Sequence, residues 1–308
     1  MDKIKVILDV DPGHDDMVAI LLAAKHPRLD LRGITVVAGN QTLDKTVQNA
    51  LRICTHAGID VPVYAGMSRP LLRDQVVSTV HGESGLDGVE LGPPARQVEE
   101  QHAVDFIIEE ARKCHKELVL IPVGPLTNIA MALLKEPRIV EGIKEIVLMG
   151  GACGQGNITP SAEFNIFVDP EAAQIVFTSG LPVTMVGLDA TNQAVVYPPV
   201  LERIRGIGSR VSKMVVDSML AYGAAYKALG DWEGPVLHDP CAVAYVIDPS
   251  VLKVKKAWVD VETARGLTYG RTVCDYSETA GKPANAQVAV GIDHKKLWDL
   301  LIYALEQY

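Results

Sequence analysis

The sequence predicts an α/β fold: an open, mostly parallel, doubly wound (Rossmann-like) sheet with a helical cap over the carboxyl ends of its strands. Three observations point there. Short β-branched, nearly continuous apolar runs recur along the 308 residues, the pattern of strands buried on both faces. Amphipathic stretches long enough to serve as crossover helices separate them. One segment, about 195–239, is mostly helical and breaks the alternation.

The first strand, 5–11, begins almost at once and ends on Asp11. Pro12-Gly13 turns the chain into a helix over 15–25, whose first turn carries Asp15 and Asp16, where the macrodipole favours negative charge. A second strand, 33–38, runs into Gly39-Asn40; a helix over 42–56 and a strand over 62–65 follow. The Gly-rich stretch 81–94 reads as a surface loop. A helix over 102–115 leads to the strand 118–123 and Gly124, and the strand 145–149 leads to Gly150-Gly151. A helix over 170–178 precedes the strand 183–188, which stops at Asp189, and the strand 256–262 comes after the cap. No repeat, low-complexity tract or linker divides the chain, so a single domain over 1–308 is expected. In open α/β sheets, ligands gather beyond the carboxyl ends of the strands. Asp11, Asn40, Gly124, Gly150 and Asp189 all fall at that edge.

Composition excludes several partners. The formal net charge is −9 and no run of Lys and Arg tracks phosphates, so neither nucleic acid nor an anionic membrane surface is expected. The first apolar run is too short for a signal peptide or a membrane span. Five cysteines, Cys54, Cys114, Cys153, Cys241 and Cys274, are scattered and odd in number. That argues against a disulfide framework and for a reducing, cytoplasmic setting, with all five structural.

The sharpest feature is Asp9-Val10-Asp11-Pro12-Gly13-His14-Asp15-Asp16. Asp9 and Asp11 share one face of a strand, whereas Asp15 and Asp16 diverge on a helix and serve different partners. So many carboxylates at one strand end repel one another unless a cation neutralises them. A helix needs one cap, not this crowd. Oxygen ligands suit a hard ion, Ca²⁺ or Mg²⁺.

This D-x-D-P-G-x-D-D pattern resembles the signature of the nucleoside hydrolase family, inosine-uridine-preferring type. The resemblance continues in order through Val37-Ala38-Gly39-Asn40, the run His81 to Gly88, Pro122-Val123-Gly124-Pro125-Leu126-Thr127-Asn128, Met149-Gly150-Gly151, Ala162-Glu163-Phe164-Asn165 and His238-Asp239-Pro240. The first two hundred residues look closest to bacterial members that favour pyrimidine ribonucleosides. The resemblance implies a Ca²⁺-dependent ribonucleoside hydrolase that cuts the N-glycosidic bond to give free base and ribose. Uridine and cytidine, or a broad range including inosine, are the expected substrates; a purine-preferring enzyme is the alternative.

Carried over by position, the resemblance makes Asp11, Asp16 and Asp239 carboxylate ligands of one Ca²⁺ per subunit, joined by the backbone carbonyl of Val123. Asp11 is also the implied general base. Asp15, Asn40, Asn157, Glu163 and Asn165 match sugar-binding positions, with Met149 beside them. His238 matches the proton donor to the leaving base, and His81 is expected in the base pocket. Tyr222, Tyr226 and Trp232 either stack on the base or pack the cap helices. The remaining histidines, among them His14, are read as structural. A homotetramer is the implied assembly.

Two other classes compete. A Mg²⁺-dependent phosphohydrolase also places aspartates after its first strand, but wants Lys or Arg at the transferred phosphoryl group; the matched loops offer Asn and Glu instead. A non-catalytic nucleoside-binding protein needs no cation beside an Asp.

Overall fold

The computed structural model describes residues 3–230 and 233–308. Alternation of strand and helix governs the first two thirds. Strands β1 (Ile4–Val10), β2 (Leu29–Val36), β3 (Val63–Ala65), β4 (Leu118–Pro122), β5 (Ile143–Met149) and β6 (Val183–Val186) are interleaved with helices α1 (His14–Lys25), α2 (Leu43–Ala57), α3 (Ala103–Lys113), α4 (Thr127–Lys135), α5 (Phe164–Val168) and α6 (Pro170–Phe177). After these come α7 (Leu188–Thr191), α8 (Pro198–Ile207), α9 (Arg210–Leu229) and α10 (Asp239–Ile247), then β7 (Leu252–Val261), β8 (Thr272–Asp275), β9 (Ala286–Ile292) and α11 (His294–Leu305). The nine strands form one sheet in the order β3-β2-β1-β4-β5-β6-β9-β7-β8. It is parallel as far as β9, and β7 joins β9 and β8 antiparallel.

Burial explains the pattern of β1. Ile7 enters one apolar cluster with residues of α3, α4 and α6, while Val6, Leu8 and Val10 enter another with α1, α2 and the helices after β6. Alternate side chains of a strand leave on opposite faces, so a strand covered on both must be apolar throughout. Each such side chain contributes about 1.5–3 kcal/mol by leaving water. Register then lines up the strand ends: Asp9 lies opposite Thr35 and Pro122, and the Asp9 and Val10 carbonyls accept the Val123 and Val37 N–H groups at 2.8 and 2.9 Å. Residues 11, 37 and 123 therefore leave the sheet together.

Three departures from the expected elements have physical causes. The sixth strand stops at Val186, because Gly187, whose Cβ would lie 2.6 Å from the Gly151 carbonyl oxygen, is already the N-cap of helix α7 over 188–191. Strands at 272–275 and 286–292 add to those expected; antiparallel pairing needs no intervening helix to announce it, and β8 has only four residues. The reading of all five cysteines as unpaired is corrected: Cys153 and Cys274 form a disulfide across 121 positions, with Cα atoms 5.6 Å apart. Spacing along the chain cannot reveal a bond made only because edge strand β8 lies against the loop after β5. Cys54, Cys114 and Cys241 are buried thiols. Among the described residues no helix is long and apolar enough to cross a membrane.

Candidate active site

The Asp9–Asp16 segment turns at the end of β1 into α1, and its acids are buried. Asp9 faces β2 and α4, accepting from Thr35 Oγ1 at 2.5 Å and Asn128 Nδ2 at 2.7 Å; burial pushes its carboxyl up to about 7. Asp16 caps its own helix, accepting the Asp11 N–H at 3.0 Å and the Gly13 N–H at 2.9 Å. Asp11 Oδ2 accepts the Asn40 N–H at 2.7 Å, but its Oδ1 is buried without a hydrogen-bond partner. Backbone closes tightly around that carboxylate: a Cβ on Gly124 would lie 2.6 Å from Oδ1, and one on Gly39 would collide with Oδ2.

Asp15, Asp16 and Asp239 each bring a carboxylate oxygen to within 4.8 Å of the others. Asp239 opens α10, and the backbone amides of His238 and Asp239 face Asp15 across the junction of the two helices. The expected trio was Asp11, Asp16 and Asp239; in the structure Asp15 completes the group and Asp11 adjoins it. Burial raises all four acids, bringing Asp15 to about 8; with mutual repulsion added to it, Asp11 and Asp239 stand well above the carboxylate range. Carboxylates this close repel one another unless positive charge lies among them. An all-oxygen set, anionic and dry, with Asp9 Oδ2 and Asp11 Oδ1 unsatisfied close by, fits a hard divalent ion.

Above the acids lies a cavity of about 80 Å³. Asp15, Asn40, Val123 and Asp239 line it on the acid side, and Met149, Asn157, Glu163 and Asn165 line it from the β5–α5 segment. Asp11 and Asp16 sit beneath it rather than in its wall. Glu163 is the N-cap of α5 and accepts from the Asn165, Gly151 and Ile166 N–H groups, so a buried carboxylate is held by backbone alone. Asn165 Nδ2 donates to the Val123 and Met149 carbonyls at 2.7 and 3.1 Å, tying the ends of β4 and β5 together. Asn157 is exposed and accepts the Phe164 N–H at 2.9 Å.

His81, Tyr222, Tyr226 and His238 form the opposite wall. Thr191 Oγ1 meets His238 Nδ1 at 2.8 Å, and Tyr226 Oη meets Nε2 at 2.9 Å. Burial pushes His238 down to about 4, so the ring stands neutral at pH 7, whereas the expected proton donor works with a near-neutral pKa. Tyr222 stacks on His14 and His81 at 4.9 and 5.0 Å, and Tyr226 packs edge-on against it. Both tyrosines thus line the cavity as well as packing the cap; Trp232 lies outside the described residues. His14, read as structural, backs the site: its Nδ1 lies 3.1 Å from His81 Nδ1. Thr191, at His238, and Ser78, in the cavity wall, join the site with no local motif to mark them.

The family profile described as inosine-uridine preferring nucleoside hydrolase matches residues 6–299. The chain is 50% identical over its full length to 99% of the pyrimidine-specific ribonucleoside hydrolase RihB of Escherichia coli O17:K52:H18, and equally identical to the protein of that name in Shigella sonnei. Among solved structures, a purine-preferring ribonucleoside hydrolase from Gardnerella vaginalis superposes with a TM-score of 0.91 at 38% identity, covering 98% of each chain. The plant nucleoside hydrolase PpNRh1 gives 0.92 at 31%, covering 99% of each. With the profile spanning nearly the whole chain and half of all positions shared with full-length relatives, the chain belongs to the inosine-uridine preferring nucleoside hydrolase family.

Proposed function

We propose that this nucleoside hydrolase works on pyrimidine ribonucleosides, uridine and cytidine, with one Ca²⁺ per subunit. One observation carries the reading: a buried acid cluster with an unsatisfied carboxylate oxygen forms the floor of a cavity walled by Asn and Glu side chains. Asp11, Asp16, Asp239 and the Val123 carbonyl would hold the ion, with Asp15 alongside; Val123 O keeps a lone pair beyond the one Asn165 uses. When bound, the ion would supply Lewis-acid chemistry, positioning a water and making it more acidic.

The remaining roles belong to the chain. Asp11 Oδ1, a buried carboxylate oxygen without a partner, accepts the proton of the attacking water. Asp15, Asn40, Asn157, Glu163 and Asn165, with Met149 beside them, hold ribose, since amides and carboxylates together match the donors and acceptors of vicinal hydroxyls. Glycoside cleavage builds oxocarbenium character on the sugar, which fixed carboxylates stabilise. His238 and His81 meet the departing base. As His238 rests neutral with both ring nitrogens engaged, it serves as acid in its protonated form, passing that proton through the Tyr226 hydroxyl to the base and returning to the neutral ring. The pyrimidine preference rests on the full-length identity to the RihB proteins; the Gardnerella structure keeps a purine-preferring or broad specificity as the second reading. We also propose one catalytic domain, a homotetramer and a cytoplasmic setting, on the family resemblance.

The test is release of ribose from uridine, cytidine, inosine and adenosine, with and without chelator. The expected result is turnover highest on the two pyrimidine nucleosides, lost with chelator and restored by Ca²⁺. Full turnover by protein shown to be metal-free by elemental analysis would refute the metal assignment.

A further inference from the structure

Past Tyr226 and His238 the ribose cavity is continuous with a second one of about 460 Å³, a size typical of small-molecule sites. With ribose against the acids of the first, the base extends past Tyr226 and His238 toward the second, a placement that rests on the proposed ribonucleoside hydrolysis. The second cavity adds Gln155, Gly156, Ile158 and Asn192 to the shared wall. Of these, Gln155 and Asn192 carry polar side chains, and neither side chain makes a hydrogen bond among the described residues.

The two amides differ in their footing. Both are exposed, but Gln155 lies on a loop between Gly154 and Gly156. Asn192 closes α7, its N–H donating to the Leu188 carbonyl at 3.0 Å, and follows the buried Thr191 whose hydroxyl meets His238. It is therefore carried on the same element that positions a proposed leaving-group residue, and a contact on a fixed element is more selective than one on a loop.

We propose that Asn192 is a specificity-determining residue that reads the outer edge of a pyrimidine base. An amide offers a carbonyl acceptor beside an NH₂ donor. Uracil presents N3–H beside O4, and cytosine presents N3 beside its amino group: the same pair with donor and acceptor exchanged. Rotating the Asn192 amide by half a turn matches either, so one side chain accepts both pyrimidines and rejects a base whose N3 is blocked. The 460 Å³ of space is too generous for shape alone to do this.

The experiment compares kcat/KM for uridine, cytidine and 3-methyluridine in the calcium-loaded wild type, Asn192→Ala and Gln155→Ala, with unfolding midpoints measured alongside. Wild type should disfavour 3-methyluridine. Asn192→Ala should lose about tenfold or more on uridine and cytidine, the size of a polar contact whose loss strands a partner, while 3-methyluridine holds or improves; Gln155→Ala should change the ratios less. Parallel losses on uridine and 3-methyluridine, unchanged uridine and cytidine rates, or a wild type that does not discriminate would each overturn the assignment while leaving the hydrolase reading intact. No ribose from any nucleoside in the wild type would overturn both.

Discussion

Asp11 is the residue on which the proposed chemistry turns, because one of its oxygens is engaged by the Asn40 N–H and the other is buried with nothing to bond to. An unsatisfied buried carboxylate oxygen is costly, and sites of this kind are where function offsets the cost. Asp11→Asn keeps the volume and an oxygen but cannot accept a proton. Activity should fall about 10²–10⁴-fold with the unfolding midpoint unchanged or raised, since a charge repelled by Asp15 and Asp16 is gone; activity within tenfold of wild type at saturating calcium would make another group the base. At the other wall, His238→Ala should lower kcat/KM for inosine about 10²-fold or more, since a purine leaves with a proton. A riboside of p-nitrophenolate needs none and should change little. Equal losses on both would reduce His238 to a support for Asp239.

At the scale of elements, the β5–α5 segment is the one whose shape the site depends on. It delivers Met149, Asn157, Glu163 and Asn165, yet from Gly150 to Glu163 it has no regular structure. Its ends are fixed by backbone bonds to Glu163, its middle by Asp189, which accepts the Cys153 and Gly154 N–H groups at 2.8 and 3.1 Å, and its outer side by Thr272 and the disulfide to β8. A cross-link that closes so long a stretch of chain restricts the unfolded state most. Cys274→Ser should therefore lower the unfolding free energy by about 2–5 kcal/mol, read as a lower urea midpoint under non-reducing conditions. A midpoint matching oxidised wild type would show that the bond does not constrain the chain.

Across the whole molecule, folding concentrates acids that the chain would otherwise keep apart, and stability should record it. Asp9 and Asp15 move up from 3.8 to about 7 and about 8, so between those limits the folded state binds more protons than the unfolded one and stability falls as pH rises. His238 works against this below 6.5, because its pKa drops to about 4 on folding; above 6.5 the carboxylates act unopposed. Metal-stripped protein should thus lose thermal stability from pH 6.5 to 8, and calcium should restore more at pH 8 than at 6.5. A flat or rising profile without metal would contradict this coupling. What the sequence by itself determined was the parallel α/β frame, the strand-end position of the acids and the family, because apolar periodicity and the Asp9–Asp16 motif are local, and register places every strand end at one edge. Only the tertiary structure decided that Asp239 meets Asp15 and Asp16 with Asp11 beside them, that Tyr226 and Thr191 hold His238, and that Cys153 meets Cys274. Each joins segments far apart in the chain, and such contacts arise from how helices and an antiparallel edge pack, which no spacing along the chain encodes.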